Sequence, residues 1–109
     1  MTLALPILAA HMVGDYLTQT DWMAENKLKS WKALTLHVAV YTTCFIPVVL
    51  LARLAVEPAC LFLGLIFVTH WITDSRRWAS GDKWPPKPIL VDQTIHITTL
   101  AILTVSFGF

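Results

Sequence analysis

Residues 33–54 read ALTLHVAVYTTCFIPVVLLARL, and this stretch decides what kind of protein the chain is. From Ala33 to Ala52 it carries no formal charge, which meets the length of about 20 residues that an α-helix needs to cross a bilayer. Pro47 predicts a kink or local break there, because proline removes a backbone donor and crowds the preceding turn. Three further apolar stretches lie around it. Residues 3–19 (LALPILAAHMVGDYLTQ) run from apolar to polar, with Pro6 in the first turn, where a missing N–H does no harm. Residues 59–77 (ACLFLGLIFVTHWITDSRR) do the same, with Glu57 and Pro58 opening the helix. Residues 89–109 (ILVDQTIHITTLAILTVSFGF) start polar and end apolar. Between them, residues 20–32 form a polar loop with a short surface helix capped by Thr20 or Asp21. Residues 78–88 (WASGDKWPPKP) are a loop by their Gly, Asp and prolines.

Composition points to the same solvent. Hydrophobic residues make up 56% of the 109, and charged residues 14%, against roughly 25% in soluble domains. Mean hydropathy is +0.63. A soluble chain this small has too little interior to hide so much apolar surface, so the bilayer is its natural environment. A net charge of +1 gives no electrostatic case for nucleic acid, and no nucleic-acid-binding motif is present. Cys44 and Cys60 lie in apolar stretches without CxxC spacing and read as small buried hydrophobes. The first residues lack a basic region and a small-residue cleavage site, so they read as part of the mature protein.

One polar pattern runs through the apolar segments twice. His11-x3-Asp15 is followed by His37, and His70-x3-Asp74 by His96; the copies are 59 positions apart and include every histidine of the chain. The expected architecture is an all-α membrane protein, one domain over residues 1–109. Four transmembrane helices would form two parallel-repeat hairpins, residues 3–54 and 59–109. Lys27, Lys29 and Lys32 lie in the first loop, and Arg76, Arg77, Lys83 and Lys87 at the third, while the opposite side has only Arg53 against Glu57. The positive-inside rule therefore predicts a bacterial inner-membrane protein with loops 20–32 and 78–88 cytoplasmic. Trp22, Trp31, Trp71, Trp78 and Trp84 cluster towards those loops, as interfacial anchors do.

The pattern places its polar groups at one depth. With a rise of about 1.5 Å per residue, Asp15 lies within two turns of the first loop and His37 enters from that same loop. Residues four apart share a helix face, so His11/Asp15, His70/Asp74 and Asp92/His96 are same-face pairs. Imidazole with carboxylate is a ligand set for zinc, manganese or iron, and helix-borne ligands from facing hairpins can build a mononuclear or binuclear site. His11, Asp15, His37, His70, Asp74 and His96 are thus the expected ligands of a divalent transition metal, zinc or manganese. Asp92, whose counterpart by offset is Ala33, is a further ligand or a general base. Gln19 and Gln93, also unmatched, would support the ligands from behind. Equally, a His or Asp in a membrane helix can serve as interhelical glue. Asp74 could pair with Arg76, Arg77 or Arg53, and Asp15 with a loop lysine. Thr35, Thr42, Thr43, Thr94, Thr98 and Thr99 are expected to satisfy backbone carbonyls.

HMVGDYLTQTDWMAENK, the LHV around His37, HWITD and VDQTIH, in that order, resemble the DUF3307 family of small bacterial and phage-borne membrane proteins. The resemblance covers nearly the whole chain and implies the membrane fold, with no assigned activity. More distantly, the layout is similar to membrane-bound metal-dependent hydrolases, although the longer His/Asp arrays of those proteins are lacking. Three functions follow as expectations. The first is a metal-dependent hydrolase acting at the cytoplasmic face on a lipid-linked or phosphorylated substrate, with the metal lowering the pKa of a bound water. The second is a proton or divalent-cation transporter or channel subunit with histidine relays. The third is a structural or regulatory membrane partner whose polar belt locks the bundle. Short spans with polar ends leave little surface for a self-sufficient protomer, so a homo-oligomer in the lipid bilayer is the expected assembly.

Overall fold

A computed structural model of the protein describes residues 2–27, 29–75 and 88–109. Among these residues it is all-helical, with no strand. Helix α1 (Ala4–Met12) runs without interruption into a π-helical turn (Val13–Leu17). That turn closes with Thr18, whose N–H bonds Val13 O at 3.0 Å and whose hydroxyl bonds the Val13 and Gly14 carbonyls, each at 3.1 Å. The expected surface helix is α2 (Asp21–Asn26), and Thr20 is its cap, accepting from Met23 N at 3.2 Å.

The 33–54 stretch folds as two helices, α3 (Trp31–Thr43) and α4 (Ile46–Ala52). Ser30 caps the first, accepting from Ala33 N at 3.4 Å. The break falls at Cys44 and Phe45, ahead of Pro47 rather than at it. Pro47 sits in the first turn of α4, where a missing N–H is tolerated. Arg53 ends α4 in the left-handed region, at φ 55°. Helix α5 (Val56–Ser75) is continuous and α6 (Pro88–Ser106) completes the chain. The loop expected at 78–88 lies outside the described residues, save Pro88, which opens α6.

Four long segments close into a ring. α3 packs along α5, α5 against α6, α6 against α1, and the π-helical turn after α1 back against α3. α4 rests on α1, and α2 lies against α3. The interior has two layers. At one end is an apolar core built from Ile7, Tyr41, Phe45, Val48, Phe62, Ile66 and their neighbours. At the other end, among the described residues, every buried side chain with a charge or an imidazole is gathered: His11, Asp15, His37, His70, Asp74, Asp92 and His96.

Outside, the pattern is inverted relative to a water-soluble protein. Leu5, Leu17, Leu50, Val56 and Val105 are each 70% exposed or more. Two stretches, Trp31–Ala52 and Val56–Ser75, are long and apolar enough to cross a membrane, whereas the apolar parts of the other two, Ala4–Leu17 and Leu90–Ser106, are shorter. The threonines behave largely as expected: Thr42, Thr43 and Thr94 donate to the carbonyls of Val38, Ala39 and Leu90 at 2.7–2.9 Å. Thr35 instead accepts from Trp71 Nε1 at 3.3 Å, beside a Trp31–Trp71 stack with ring centroids 4.8 Å apart. Both cysteines are free thiols, but Cys60 is exposed on α5 and Cys44 only half-buried, which corrects the expectation that both are buried. Cys60 falls on the face of α5 turned away from its neighbours, and neutral sulfur tolerates that position.

Candidate metal centre

The π-helical turn determines how the first His-x3-Asp motif is presented. A π turn advances more residues per revolution than an α turn, so positions four apart no longer stack directly. His11 Nε2 and Asp15 Oδ2 are 4.0 Å apart, whereas His70 Nε2 and Asp74 Oδ2, on unbroken α5, are 3.1 Å apart. Asp15 is thereby swung into the ring interior, where it meets three histidines of the other helices.

Four side chains converge on one point: Asp15 from the π turn, His37 from α3, and His70 and Asp74 from α5. His37 Nε2 lies 3.2 Å from Asp15 Oδ1 and 2.9 Å from Asp74 Oδ2. His70 Nε2 lies 3.6 Å from Asp15 Oδ1 and 3.1 Å from Asp74 Oδ2. The two Nε2 atoms face each other at 3.1 Å. Ligand atoms about 2.0–2.1 Å from a tetrahedral zinc lie about 3.3 Å from one another. Five edges of the tetrahedron defined by these four atoms measure 2.9–3.6 Å. The site therefore has the dimensions that four-coordinate binding requires.

The donor chemistry fits as well. Two protonated Nε2 atoms facing at 3.1 Å would bring their hydrogens into collision, so at most one carries a proton along that line. The other presents a lone pair to a carboxylate oxygen, acceptor against acceptor. Asp15 Oδ1 and Asp74 Oδ1 are buried without a hydrogen-bond partner among the described residues. A buried acceptor left unpaired costs on the order of 1–3 kcal/mol, and a cation at the centre of the four atoms removes that cost for Asp15 Oδ1, whereas Asp74 Oδ1 faces His96 Nε2 at 3.4 Å.

A chain of hydrogen bonds holds this arrangement from one side. Gln93 Nε2 donates to Asp15 Oδ2 at 3.0 Å, which fixes the orientation of its amide because a carboxylate only accepts. Gln93 Oε1 must then accept, so His11 Nε2, at 3.0 Å, carries the proton. His11 Nδ1 in turn accepts from the Tyr41 hydroxyl at 2.8 Å. Both ring nitrogens of His11 are thus engaged at the edge of the cluster, although His11 Nε2 still lies within reach of Asp15 and His96. Gln93 supports the expected ligands directly. Gln19 is half-buried, and its Oε1 has no hydrogen-bond partner among the described residues.

The remaining expected residues lie beside the four. His96 stacks on His70 with centroids 4.3 Å apart. Its Nδ1 faces Asp15 Oδ2 at 3.6 Å and Asp92 Oδ1 at 3.2 Å, while its Nε2 faces Asp74 Oδ1 at 3.4 Å. Asp92 and His96 share a face of α6, as their spacing predicts.

Two residues enter the site that motif reading does not single out. Tyr41 lies flat on His70, centroids 3.6 Å apart, and forms the floor between the polar and apolar layers. Its spacing of four from His37 was the available signal. Lys27, one residue beyond α2, reaches in from the opposite side and donates to Asp74 Oδ2 at 3.1 Å. The loop lysine thus pairs with Asp74 rather than Asp15, while Arg76 and Arg77 lie outside the described residues. Nothing in the linear order of Lys27 and Asp74 marks them as partners, because the path of α2 across the ring brings them together.

The model of a family described as a protein of unknown function, DUF3307, matches residues 3–108, and the chain belongs to that family. No curated protein and no solved structure matches it.

Proposed function

We propose that this DUF3307 protein is an integral membrane protein whose Asp15, His37, His70 and Asp74 hold a divalent transition metal. Its chemistry would be that of a metal-dependent hydrolase working on a lipid-linked or phosphorylated substrate. The observation that carries the reading is the set of five ligand–ligand distances, 2.9–3.6 Å, among four atoms of which Asp15 Oδ1 is buried without a hydrogen-bond partner among the described residues. A bound metal would supply a water acidified towards neutrality, and Asp92 is a candidate base beside it. Gln93 and His11 keep Asp15 oriented, a role that supporting residues of metal sites commonly fill.

The bilayer accounts for what water cannot. Only 39% of the Trp31–Ala52 window and 22% of the Val56–Ser75 window are buried, which supports a bilayer around both rather than a soluble protein's core. An apolar exterior around buried carboxylates is the arrangement expected where the solvent is hydrocarbon. In this reading α1 with its π turn and α6 complete two further crossings, giving two hairpins over residues 3–54 and 59–109. Loops 20–32 and 78–88 face the cytoplasm of the inner membrane, and copies of the chain associate in the bilayer. The shortness of Ala4–Leu17 supports that association, since a short span is relieved by local thinning or by neighbours.

A second reading, proton or cation passage, is favoured by the continuous chain from Tyr41 through His11, Gln93 and Asp15 to His37, Asp74 and Lys27. That chain ends at Tyr41, beneath Phe45 and Phe62, which are wholly buried. A path across one protomer is closed there, and the metal reading is preferred. Metal content of the detergent-purified protein separates the two. At least one equivalent of zinc or manganese in wild type, absent from an assembled His37→Ala variant, is the expected result. No metal after reloading with both ions would eliminate the hydrolase reading and leave passage or packing.

A further inference from the structure

Only four of the buried polar side chains are needed for the centre proposed above, and those beside them form a second set. We infer that the cluster has a second cation position, at which His96 Nδ1, Asp15 Oδ2 and Asp92 Oδ1 are ligands and Asp15 bridges the two ions. The inference rests on the first centre, because Asp15 must already direct Oδ1 towards His37 and His70 for Oδ2 to face away from them.

Several observations carry it. His96 is 3% exposed, and neither ring nitrogen has a hydrogen-bond partner among the described residues. Both nitrogens nevertheless point at carboxylates, Nδ1 at Asp92 Oδ1 and Asp15 Oδ2, 3.2 and 3.6 Å away, and Nε2 at Asp74 Oδ1, 3.4 Å away. A neutral imidazole has one proton for these two directions. Placed on Nε2, towards Asp74, it leaves the Nδ1 lone pair aimed at two carboxylate oxygens, a repulsion that a cation between them removes. The carboxylate behind the ring then orients it, as in many histidine-ligated sites. The 3.2 and 3.6 Å separations from His96 Nδ1 have the length of two edges of a coordination polyhedron. Asp15 Oδ2 keeps a lone pair for the ion while accepting from Gln93. A single bridging carboxylate suits the separation of about 3.5–4 Å found in two-metal hydrolytic sites.

Charge gives the class of ligand that completes the pair. Among the described residues the cluster contains the carboxylates of Asp15, Asp74 and Asp92 and the ammonium of Lys27. One divalent cation makes that set neutral, and a second leaves it with an excess of two positive charges. The second ion therefore binds together with an anion, and a tetrahedral oxyanion such as a phosphoryl group can bridge two metals while facing Lys27.

The test is a stoichiometry. The full chain in detergent is titrated with Zn2+ and with Mn2+, with and without inorganic phosphate, and the Mn2+ sample is read by electron paramagnetic resonance. Expected are one ion per chain without phosphate and two with it, the second producing an exchange-coupled Mn2+ signal. Asp92→Asn, which keeps the side-chain shape, and His96→Ala should each hold one ion under both conditions. A single uncoupled ion in wild type at all phosphate concentrations would overturn the second position and leave the first centre intact. Two ions retained in Asp92→Asn would overturn the ligand assignment. No bound ion under any condition would remove both centres together.

Discussion

The two His-x3-Asp motifs share a spacing and differ in the backbone that carries it. His70 and Asp74 sit on an uninterrupted α-helix and stay 3.1 Å apart, both directed at the cluster. His11 and Asp15 straddle the start of a π-helical turn and are 4.0 Å apart; Asp15 enters the cluster while His11 turns to Tyr41 and Gln93. The difference traces to one pair of positions. Gly14 lies against Tyr41, and a Cβ on it would come within 2.7 Å of the Tyr41 ring and 3.2 Å of the Tyr41 Cα. By the offset of 59, the corresponding residues are Thr73 and Leu100, a larger residue in place of the glycine and an aliphatic one in place of the tyrosine. A small residue on the first helix admits the aromatic ring, the ring carries a hydroxyl, and the hydroxyl engages His11 Nδ1 at 2.8 Å. Identical spacing in sequence thus yields one pair directed together at the cluster and one pair whose members face different partners.

The comparison breaks most completely at Asp74. Asp74→Ala removes the oxygen shared by His37, His70 and Lys27 and leaves the Lys27 ammonium, 14% exposed, without its partner. Loss of a buried ion pair's anion costs about 3–5 kcal/mol, so metal binding should vanish and the melting temperature in detergent should fall sharply. An Asp74→Ala protein that melts as wild type and retains metal would place the anchoring role in the first motif instead.

Next in size is the glycine. Gly14→Ala forces the π turn away from α3 and should destabilise by about 1–3 kcal/mol, the usual range for overpacking. Adding Tyr41→Leu, the residue found at the corresponding position 59 further on, should recover most of that loss while leaving His11 Nδ1 without the hydroxyl. Thermal melts of the two single variants and the double variant read the coupling directly; additive losses would show that Gly14 and Tyr41 do not determine the turn together.

Gln93→Leu sharpens the comparison without touching a ligand, because the corresponding residue by offset is Leu34. Asp15 and His11 lose the amide between them, and metal affinity should drop about tenfold, in line with removal of a supporting hydrogen bond. A chelator competition titration measures it. The smallest effect belongs to Tyr41→Phe, which retains the stack on His70 and deletes only the bond to His11. It should cost about 1 kcal/mol, seen as a modest shift in melting temperature with metal stoichiometry unchanged.

Much of the fold was legible in the chain. Apolar runs, the cap at Thr20 and an interruption near Pro47 all act over a few residues, so local chemistry suffices to place them. The meeting of His37, His70, Asp15 and Asp74 was also anticipated, since helical rise converts sequence position into depth and equal depth is a precondition of contact. Depth says nothing of rotation about the helix axis. The π turn at Val13–Leu17 changes that rotation, and within it Gly14 lies against Tyr41 on another helix.

By itself, then, the sequence determined the helices, their apolar exteriors and the common level of seven polar side chains. Only the tertiary structure decided that Asp15 would face the ligands of α3 and α5 while His11 faced Tyr41, and that Lys27 would reach Asp74. The reason is physical: secondary structure and depth follow from interactions within a few residues. The direction of a side chain inside a bundle follows from the volume of whatever residue packs against it from another helix.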